Sequence, residues 1–188
     1  MKRIVFAGLI GGSVFLLWFI IVDAILGFKR SIEMNQLANE RSVYKFLSEN
    51  VTEPGRYVCN PEILPEQEFP GEDPIFVVQY SGLGHDDSGQ EILVGFIIMF
   101  LAPLLGAWIL TNASNRVLST YGYRLLFFTG IGTVMSLFGI MTRFSIGGYP
   151  LGDTLALTLH DLLAWILAGI VISWFIKPVS QAGTKIGD

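Results

Sequence analysis

The stretch that decides the fold is IVFAGLIGGSVFLLWFIIVDAILGF, residues 4–28, in which Asp23 is the only charged residue. An α-helix needs about 20 mostly apolar residues to cross about 30 Å of hydrocarbon. Three further apolar runs follow, at 92–110, 125–141 and 155–176. The first, second and fourth runs are long enough to span a bilayer, and we expect the shorter third run to borrow neighbouring residues at both ends.

The composition of the whole chain agrees with membrane insertion. Of 188 residues, 52% are hydrophobic and 15% are charged, and the mean hydropathy is +0.56, above the range typical of soluble domains. The predicted fold class is an all-α membrane protein, a four-helix transmembrane bundle with a small α+β extracytoplasmic cap between spans 1 and 2. The predicted segments are spans at 4–28, 92–112, 125–142 and 154–176, the cap at 29–91 and a cytoplasmic tail at 177–188.

The basic start, Met1-Lys2-Arg3, is typical of a signal peptide, but the apolar run after it is too long and no A-x-A site follows. We therefore expect an uncleaved helix. Region 29–91 holds five basic and twelve acidic residues, a net charge of −7. The positive-inside rule places it outside and both termini inside, although Lys29 and Arg30 argue the other way. Basic residues then lie on the cytoplasmic side at Lys2, Arg3, Arg116, Arg124, Lys177 and Lys185.

The cap region contains signals for one helix and two strands. Residues 31–50 have helical spacing of apolar positions, with Asn39 as a candidate cap, and Pro54-Gly55 ends the pattern. Residues 56–59 and 75–80 are strand candidates, separated by a proline-rich stretch. We expect a helix packed on a two-stranded antiparallel ribbon, which is marginally stable alone. It would need support from the bundle or from another protein.

Cys59 is the only cysteine, so the chain can form no internal disulfide and no Cys/His metal cluster. We interpret it as a small packing residue, with an intermolecular disulfide as the alternative. The acidic residues of the cap match no calcium-loop spacing and are interpreted as solubilising.

Two short motifs in the cap carry a resemblance. Asn39-Glu40-x-x-Val43-x-x-x-Leu47, followed by Pro54-Gly55-Arg56-Tyr57, is similar to a group of bacterial four-span inner-membrane proteins of uncharacterised activity with a small periplasmic Pro-Gly-x-Tyr module. Asp161-x-x-x-Trp165 matches them more loosely. The resemblance implies a layout, a bacterial inner membrane and a periplasmic cap, and no activity.

Ionisable residues inside apolar spans carry the most functional information, because a charge at mid-membrane costs about 2.5–3.5 kcal/mol on insertion scales. The spans contain Asp23, Arg143, His160 and Asp161. Each lies on a helix face rich in small residues, which mark close helix approach. We expect the four to converge at the outer mouth of the bundle, with Arg143 paired to Asp161 or to Asp23. The predicted packing residues are Gly8, Gly12, Gly95, Ala102, Gly106, Gly132, Ser136, Gly139, Ala164 and Ala168.

Three interpretations of this polar cluster stay open. It either fixes helix register, or forms a proton or ligand site built on His160 and Asp161, or lies by chance at the lipid edge. Because nucleophile, metalloprotease, P-loop and dinucleotide motifs are lacking, we predict no enzyme and no catalytic residues. Only one histidine lies in a span, so haem b is not expected. We also predict no metal, no other cofactor and no nucleic-acid binding.

The leading functional hypothesis is a non-catalytic accessory, assembly or scaffold subunit that packs against a larger membrane protein complex, with a respiratory or photosynthetic complex as the host to consider. The alternative is a small oligomeric transporter or channel that uses the intramembrane Asp/His/Arg cluster. A weaker third hypothesis is quinone or lipid binding. The expected partners are membrane lipids and either that complex or further copies of the chain.

Overall fold

A computed structural model describes residues 1–60, 73–84, 86, 89–144 and 148–177, with Glu91 described by its backbone alone. The described elements are seven α-helices, a π-helical segment, a short 3₁₀ turn and two strands. In chain order they are α1 (Lys2–Trp18), the π segment (Phe19–Ile25), α2 (Phe28–Glu33), α3 (Glu40–Asn50), β1 (Gly55–Cys59), β2 (Phe76–Tyr80), α4 (Gly89–Thr111), α5 (Asn115–Ser119), α6 (Tyr121–Ile140), the 3₁₀ turn (Met141–Arg143) and α7 (Leu151–Phe175).

Four helical segments are long and apolar enough to cross a membrane, as the sequence predicts. They are Lys2–Ile25, Ile92–Thr111, Tyr121–Arg143 and Leu151–Phe175. The third does extend beyond its apolar run at both ends. It begins at Tyr121, where the Thr120 hydroxyl accepts a hydrogen bond from the Tyr123 amide, and a 3₁₀ turn prolongs it to Arg143.

The first span departs from the expected continuous helix over 4–28. From Phe19 to Ile25 its hydrogen bonding is π-helical, and the Leu26 amide donates to the Ile21 carbonyl five residues back. The helix ends at Ile25, and Gly27, two residues later, has a φ of +69°, which is left-handed and favours glycine. Because the chain turns there, α2 begins at Phe28 as a separate helix instead of continuing span 1.

In the cap region the predicted hairpin is present. Strands β1 and β2 pair antiparallel, with Tyr57 opposite Val78. The single helix predicted over 31–50 is wrong, because α2 ends at Glu33 and α3 begins only at Glu40. Asn39 occupies the N-cap of α3, but its side chain makes no capping hydrogen bond. The predicted proline-rich stretch lies mostly outside the described residues, as does the tail beyond Lys177.

The bundle is organised around α1 and α7. Helix α1 packs extensively on both α4 and α7, and α6 packs on α7, whereas α4 and α6 meet only slightly. We call one end of the bundle the apolar end: it is built from the start of α1, the finish of α4, the start of α6 and the finish of α7. The apolar core lies there and consists of Ala7, Ala107, Leu110, Phe128, Trp165, Ala168, Ile172 and Ile176. We call the opposite end, where α2 follows span 1, the polar end.

Several predicted packing residues lie at close helix contacts. A Cβ added to Gly8 would lie 2.7 Å from the Leu104 Cα, and one added to Gly132 would lie 2.5 Å from the Trp165 Cβ. These distances are too short for any side chain, so the helices meet there because the residues are glycines. Four other predicted packing residues are also in close or buried positions: Gly12, Gly106, Ala164 and Ala168. Ala102 is partly buried against the core.

Gly95 and Gly139 do not fit the packing prediction. No heavy atom of the described residues lies within 4 Å of a Cβ built on either glycine. A side chain would therefore fit at either position without contact with a neighbouring helix. Gly11, which the stripe analysis passed over, instead lies tightly against Ile172.

Candidate functional site

A buried histidine–aspartate pair lies at the polar end of the bundle. His160 on α7 and Asp23 in the π segment are 3.0 Å apart, measured from Nε2 to Oδ1, and their side chains are only 5% and 6% exposed. The other carboxylate oxygen, Oδ2, lies 3.6 Å from the Lys29 ammonium on α2. Removal of a carboxylate from water is costly unless it is paired or hydrogen-bonded. Asp23 therefore depends on a histidine from one helix and a lysine from another.

Two aromatic side chains enclose the imidazole. Phe28 stacks on it with ring centroids 4.9 Å apart and planes 10° apart. The indole Nε1 of Trp18 lies 2.9 Å from His160 Nε2. Trp18 and Asp23 are five residues apart, which is the interval of a π-helical hydrogen bond. The π segment thus brings both side chains to the same nitrogen, which a regular α-helix would not do as well.

One nitrogen cannot satisfy both neighbours at once. Neutral Nε2 without a proton accepts from the indole N–H, and protonated Nε2 donates to the Asp23 carboxylate. In the first arrangement, Asp23 Oδ1 and His160 Nδ1 are buried without a hydrogen-bond partner among the described residues. In the second arrangement the Trp18 N–H loses its acceptor. A buried polar group without a partner costs about 1–3 kcal/mol, so the site has two competing arrangements that differ in the position of one proton.

A cavity of about 260 Å³ lies directly beside the pair. Its wall carries His160, two cationic side chains and two acidic ones, completed by two aliphatic residues. The lining residues are Lys29, Glu33, Ile140, Arg143, Leu157, His160 and Asp161. The volume is large enough for a few water molecules or a small solute. A polar cavity of this kind is unusual inside an apolar bundle and identifies the polar end as the candidate site.

Asp161 and Arg143 have partners of their own on this wall. The Ser136 hydroxyl donates to Asp161 Oδ2 at 2.8 Å, which joins α6 to α7. Arg143 forms an ion pair with Glu33 of α2, with 3.7 Å between Nη1 and Oε1. The prediction that Arg143 pairs with Asp161 or Asp23 is therefore wrong. Arg143 lies in the 3₁₀ turn beyond α6, and the helix that reaches it is α2.

The structure places all four predicted intramembrane residues at the polar end, but in two groups. Asp23 and His160 touch directly, and Arg143 and Asp161 share the cavity wall with His160. Sequence reasoning missed four contributors, namely Trp18, Phe28, Lys29 and Glu33. Two signals for them are present in the sequence. Trp18 lies deep inside its span, and the cationic pair Lys29-Arg30, which also bears on membrane orientation, lies just beyond Gly27.

The charges around the site do not balance when His160 is neutral. Asp23, Glu33 and Asp161 supply three negative charges, and Lys29 and Arg143 supply two positive charges. One additional proton on the imidazole makes the group neutral. Asp23 and His160 are the buried members of this group, whereas Lys29, Glu33 and Arg143 are partly exposed.

A metal role has no support from the geometry. Within the described ranges, no group of three or more His, Cys, Asp or Glu side chains is arranged to hold a metal ion. Cys59 is exposed and free at the end of β1, far along the chain from the other ionisable groups of the site.

Comparison with known proteins adds no family. No protein-family model, curated protein or solved structure matches the chain. The resemblance to bacterial four-span inner-membrane proteins therefore stays a prediction. The geometry of the polar end carries the functional interpretation.

Proposed function

We propose that this chain is a multi-pass membrane protein of the transporter type, in which reversible protonation of His160 accompanies the passage or binding of a small solute. The observation that carries the proposal is the 3.0 Å contact between the buried imidazole of His160 and the buried carboxylate of Asp23, on the wall of a polar cavity. Ionisable residues within membrane helices mark ion pathways and proton relays. The alternative hypothesis from the sequence thus becomes the leading one.

The proposal includes a membrane placement. The four spans cross a bacterial inner membrane, with both termini cytoplasmic and residues 29–91, including α2, α3 and the hairpin, on the periplasmic side. The charge difference between the two sides supports this orientation. Cys59 is the only cysteine and is exposed. A maleimide that cannot cross membranes should label it in spheroplasts without lysis, and labelling only after lysis would reverse the orientation.

Protonation at His160 changes the hydrogen bonding of two neighbours. A proton on Nε2 is donated to Asp23 and leaves the Trp18 indole without its acceptor, whereas loss of that proton restores the indole bond. Since Trp18 and Asp23 belong to span 1 and His160 belongs to span 4, the proton position alters the contact between two spans. That coupling between a proton and helix packing is what a transporter requires.

The chain suits a direct test, because it has two histidines and only His160 lies in a span. In His85→Gln reconstituted in nanodiscs, ¹⁵N-histidine NMR reports His160 alone. We expect its ring nitrogens to change state across about pH 5–8, the range in which histidine charge usually changes, together with a shift of the Trp18 indole signal. In proteoliposomes under a pH gradient, His160→Gln and Asp23→Asn should lower proton flux to that of empty liposomes.

The matched control is Arg116→Gln, which changes an exposed side chain at the other end of the bundle and should leave proton flux unchanged. A His160 signal that stays in one state across the whole pH range would contradict the proposal. Equal proton flux in wild type and His160→Gln would contradict it as well. Either result would leave the cluster as a device that fixes helix register.

A second candidate function is the accessory or scaffold subunit of a larger membrane complex. The favouring observation is an apolar groove of about 500 Å³ on α6, lined by Phe127, Gly130, Ile131, Val134 and Met135. Glycines at such a surface permit close approach of another membrane helix. Under this hypothesis a defined partner co-purifies in mild detergent and His160→Ala leaves its activity intact. Recovery of a lone monomer would count against it.

A further inference from the structure

A second, larger space adjoins the histidine cavity. It is an open cleft of about 700 Å³, formed by the hairpin on one side and by α2, the 3₁₀ turn and the residues just before α7 on the other. Its lining is mostly polar and rich in hydrogen-bond donors. The lining residues are Glu33, Arg56, Val77, Gln79, Thr142, Arg143, Gly148 and Tyr149.

The cleft has the chemistry of an anion site. It presents two guanidinium groups, from Arg56 on β1 and Arg143 after α6, beside one side-chain amide and two hydroxyls. Arginine donates in a fixed fork that matches the two oxygens of a carboxylate or phosphate. Among the described residues, Glu33 is the only carboxylate on the lining, and it is paired with Arg143. Arg56 has no ion-pair partner among those residues.

Glu33 and Arg143 belong to both spaces. Each lines the cleft and each lines the histidine cavity. Their ion pair, with 3.7 Å between the nearest charged atoms and both side chains partly exposed, therefore lies on the boundary between the two. A long and solvated ion pair contributes little to stability. A competing anion of suitable geometry can replace Glu33 at Arg143 at small cost.

We propose that the cleft binds a carboxylate or phosphate group through Arg56 and Arg143, and that this anion displaces Glu33 and so connects the cleft to the His160 cavity. The inference rests on the proposed function and names its solute class: a small organic or inorganic anion that enters together with a proton. The bound anion adds negative charge at the boundary, where Glu33 remains. A proton on His160 offsets that charge, which links occupancy of the anion site to protonation.

Binding is tested on the full chain in nanodiscs of phosphatidylcholine, with succinate and inorganic phosphate as separate probes in isothermal titration calorimetry. Hydrogen bonds in which one partner is charged are stronger than those between neutral groups. We therefore expect Arg56→Gln and Arg143→Gln each to weaken binding at least about tenfold, which corresponds to about 1.4 kcal/mol. Arg41→Gln is the matched control, since Arg41 is an exposed residue of α3 that does not line the cleft.

Glu33→Gln separates anion binding from a merely structural role of the ion pair. If Glu33 competes with the anion for Arg143, this variant binds the probes more tightly than wild type, while Arg143→Gln binds them more weakly. If the pair only holds α2 in place, both variants weaken binding alike. The proposal is overturned if neither probe binds, if both variants weaken binding equally, or if the two arginine variants bind as wild type does.

The source of the anion is distinguished by a second set of nanodiscs that contain phosphatidylglycerol. Unchanged probe affinity assigns the cleft to a free anion, and loss of probe binding assigns it to a lipid headgroup; both outcomes keep the anion site. The result is separable from the test of the proposed function. If no anion binds but His160 changes its protonation state with pH, only this inference is overturned. If the anion binds but His160 stays in one state, only the proton proposal is overturned.

Discussion

The apolar end and the polar end of this bundle are built from the same four helices but differ in how their buried polar groups are satisfied. At the apolar end, side chains such as Phe128 and Ile172 are fully buried. The buried guanidinium of Arg124 donates there to the carbonyls of Ser173 at 3.0 Å and Leu118 at 2.6 Å. At the polar end, His160 has more neighbours than it can satisfy. The difference indicates that the apolar end stabilises the bundle, whereas the polar end permits two hydrogen-bond arrangements of His160.

The largest stability effect should come from Arg124→Ala at the apolar end. The substitution removes two hydrogen bonds from a buried charged group and leaves the space of its side chain empty. We expect a loss of about 3 kcal/mol in the free energy of unfolding. Denaturation in mixed micelles measures it. Arg116→Ala is the control, because Arg116 is exposed and its side chain has no partner among the described residues. Equal stabilities of the two variants would contradict the prediction that Arg124 stabilises the apolar end.

A middle-sized effect is expected where α1 approaches α4. In Gly8→Ala the new methyl would lie 2.7 Å from the Leu104 Cα, so the helices must separate, at a cost of about 1–3 kcal/mol for overpacking. Gly95→Ala on α4 meets nothing within 4 Å, and its higher helix propensity should leave stability unchanged or raise it by up to about 1 kcal/mol. Unfolding of both variants under the same conditions measures the contrast. A loss at Gly95 as large as that at Gly8 would show that the outward face of α4 is covered in the folded protein.

The smallest stability effect is expected at the polar end, from Trp18→Phe. This variant keeps an aromatic ring and removes only the N–H that donates to His160. Hydrogen bonds between membrane helices average about 0.6 kcal/mol, so the free energy of unfolding should change by about that amount. His160 should then favour the arrangement in which Nε2 donates to Asp23, which NMR of the ring nitrogens reports. Trp108→Phe, at an exposed indole, is the control. A loss above about 2 kcal/mol would mean that the polar end is also built for stability.

Hydropathy alone was sufficient for the four spans, because a helix that crosses lipid must be apolar over its whole length. The hairpin was also predictable, since Pro54-Gly55 and the β-branched run at Val77-Val78 are local signals. The break between α2 and α3 was not. Apolar spacing over 31–50 suggested one helix, yet Asn35 and the residues around it leave the helical conformation, and nothing in the hydrophobic pattern marks the position.

The sequence predicted the depth of the ionisable residues along their spans but not which of them are in contact. Counting residues along each span placed Asp23, His160 and Asp161 near one level, and they do lie at the same end. Pairing also needs the rotation of each helix and its choice of neighbour. The π segment shifts Asp23 around the helix axis. Helix α2 brings Glu33 to Arg143, more than a hundred residues later in the chain, and Lys29 back to Asp23 in the π segment. Helix faces assigned with 3.6 residues per turn predict neither the rotation caused by the π segment nor the position of α2.

What the amino-acid sequence determined by itself is the number of spans and the end of the bundle at which the charges collect, because hydrophobicity and distance along a helix are local properties. What only the tertiary structure decided is which groups share a proton and which share an ion pair. Those partnerships depend on a left-handed turn at Gly27, a π-helical stretch and the packing order of four helices. The packing order is set by contacts between segments far apart in the chain, such as those that α1 makes with α4 and α7.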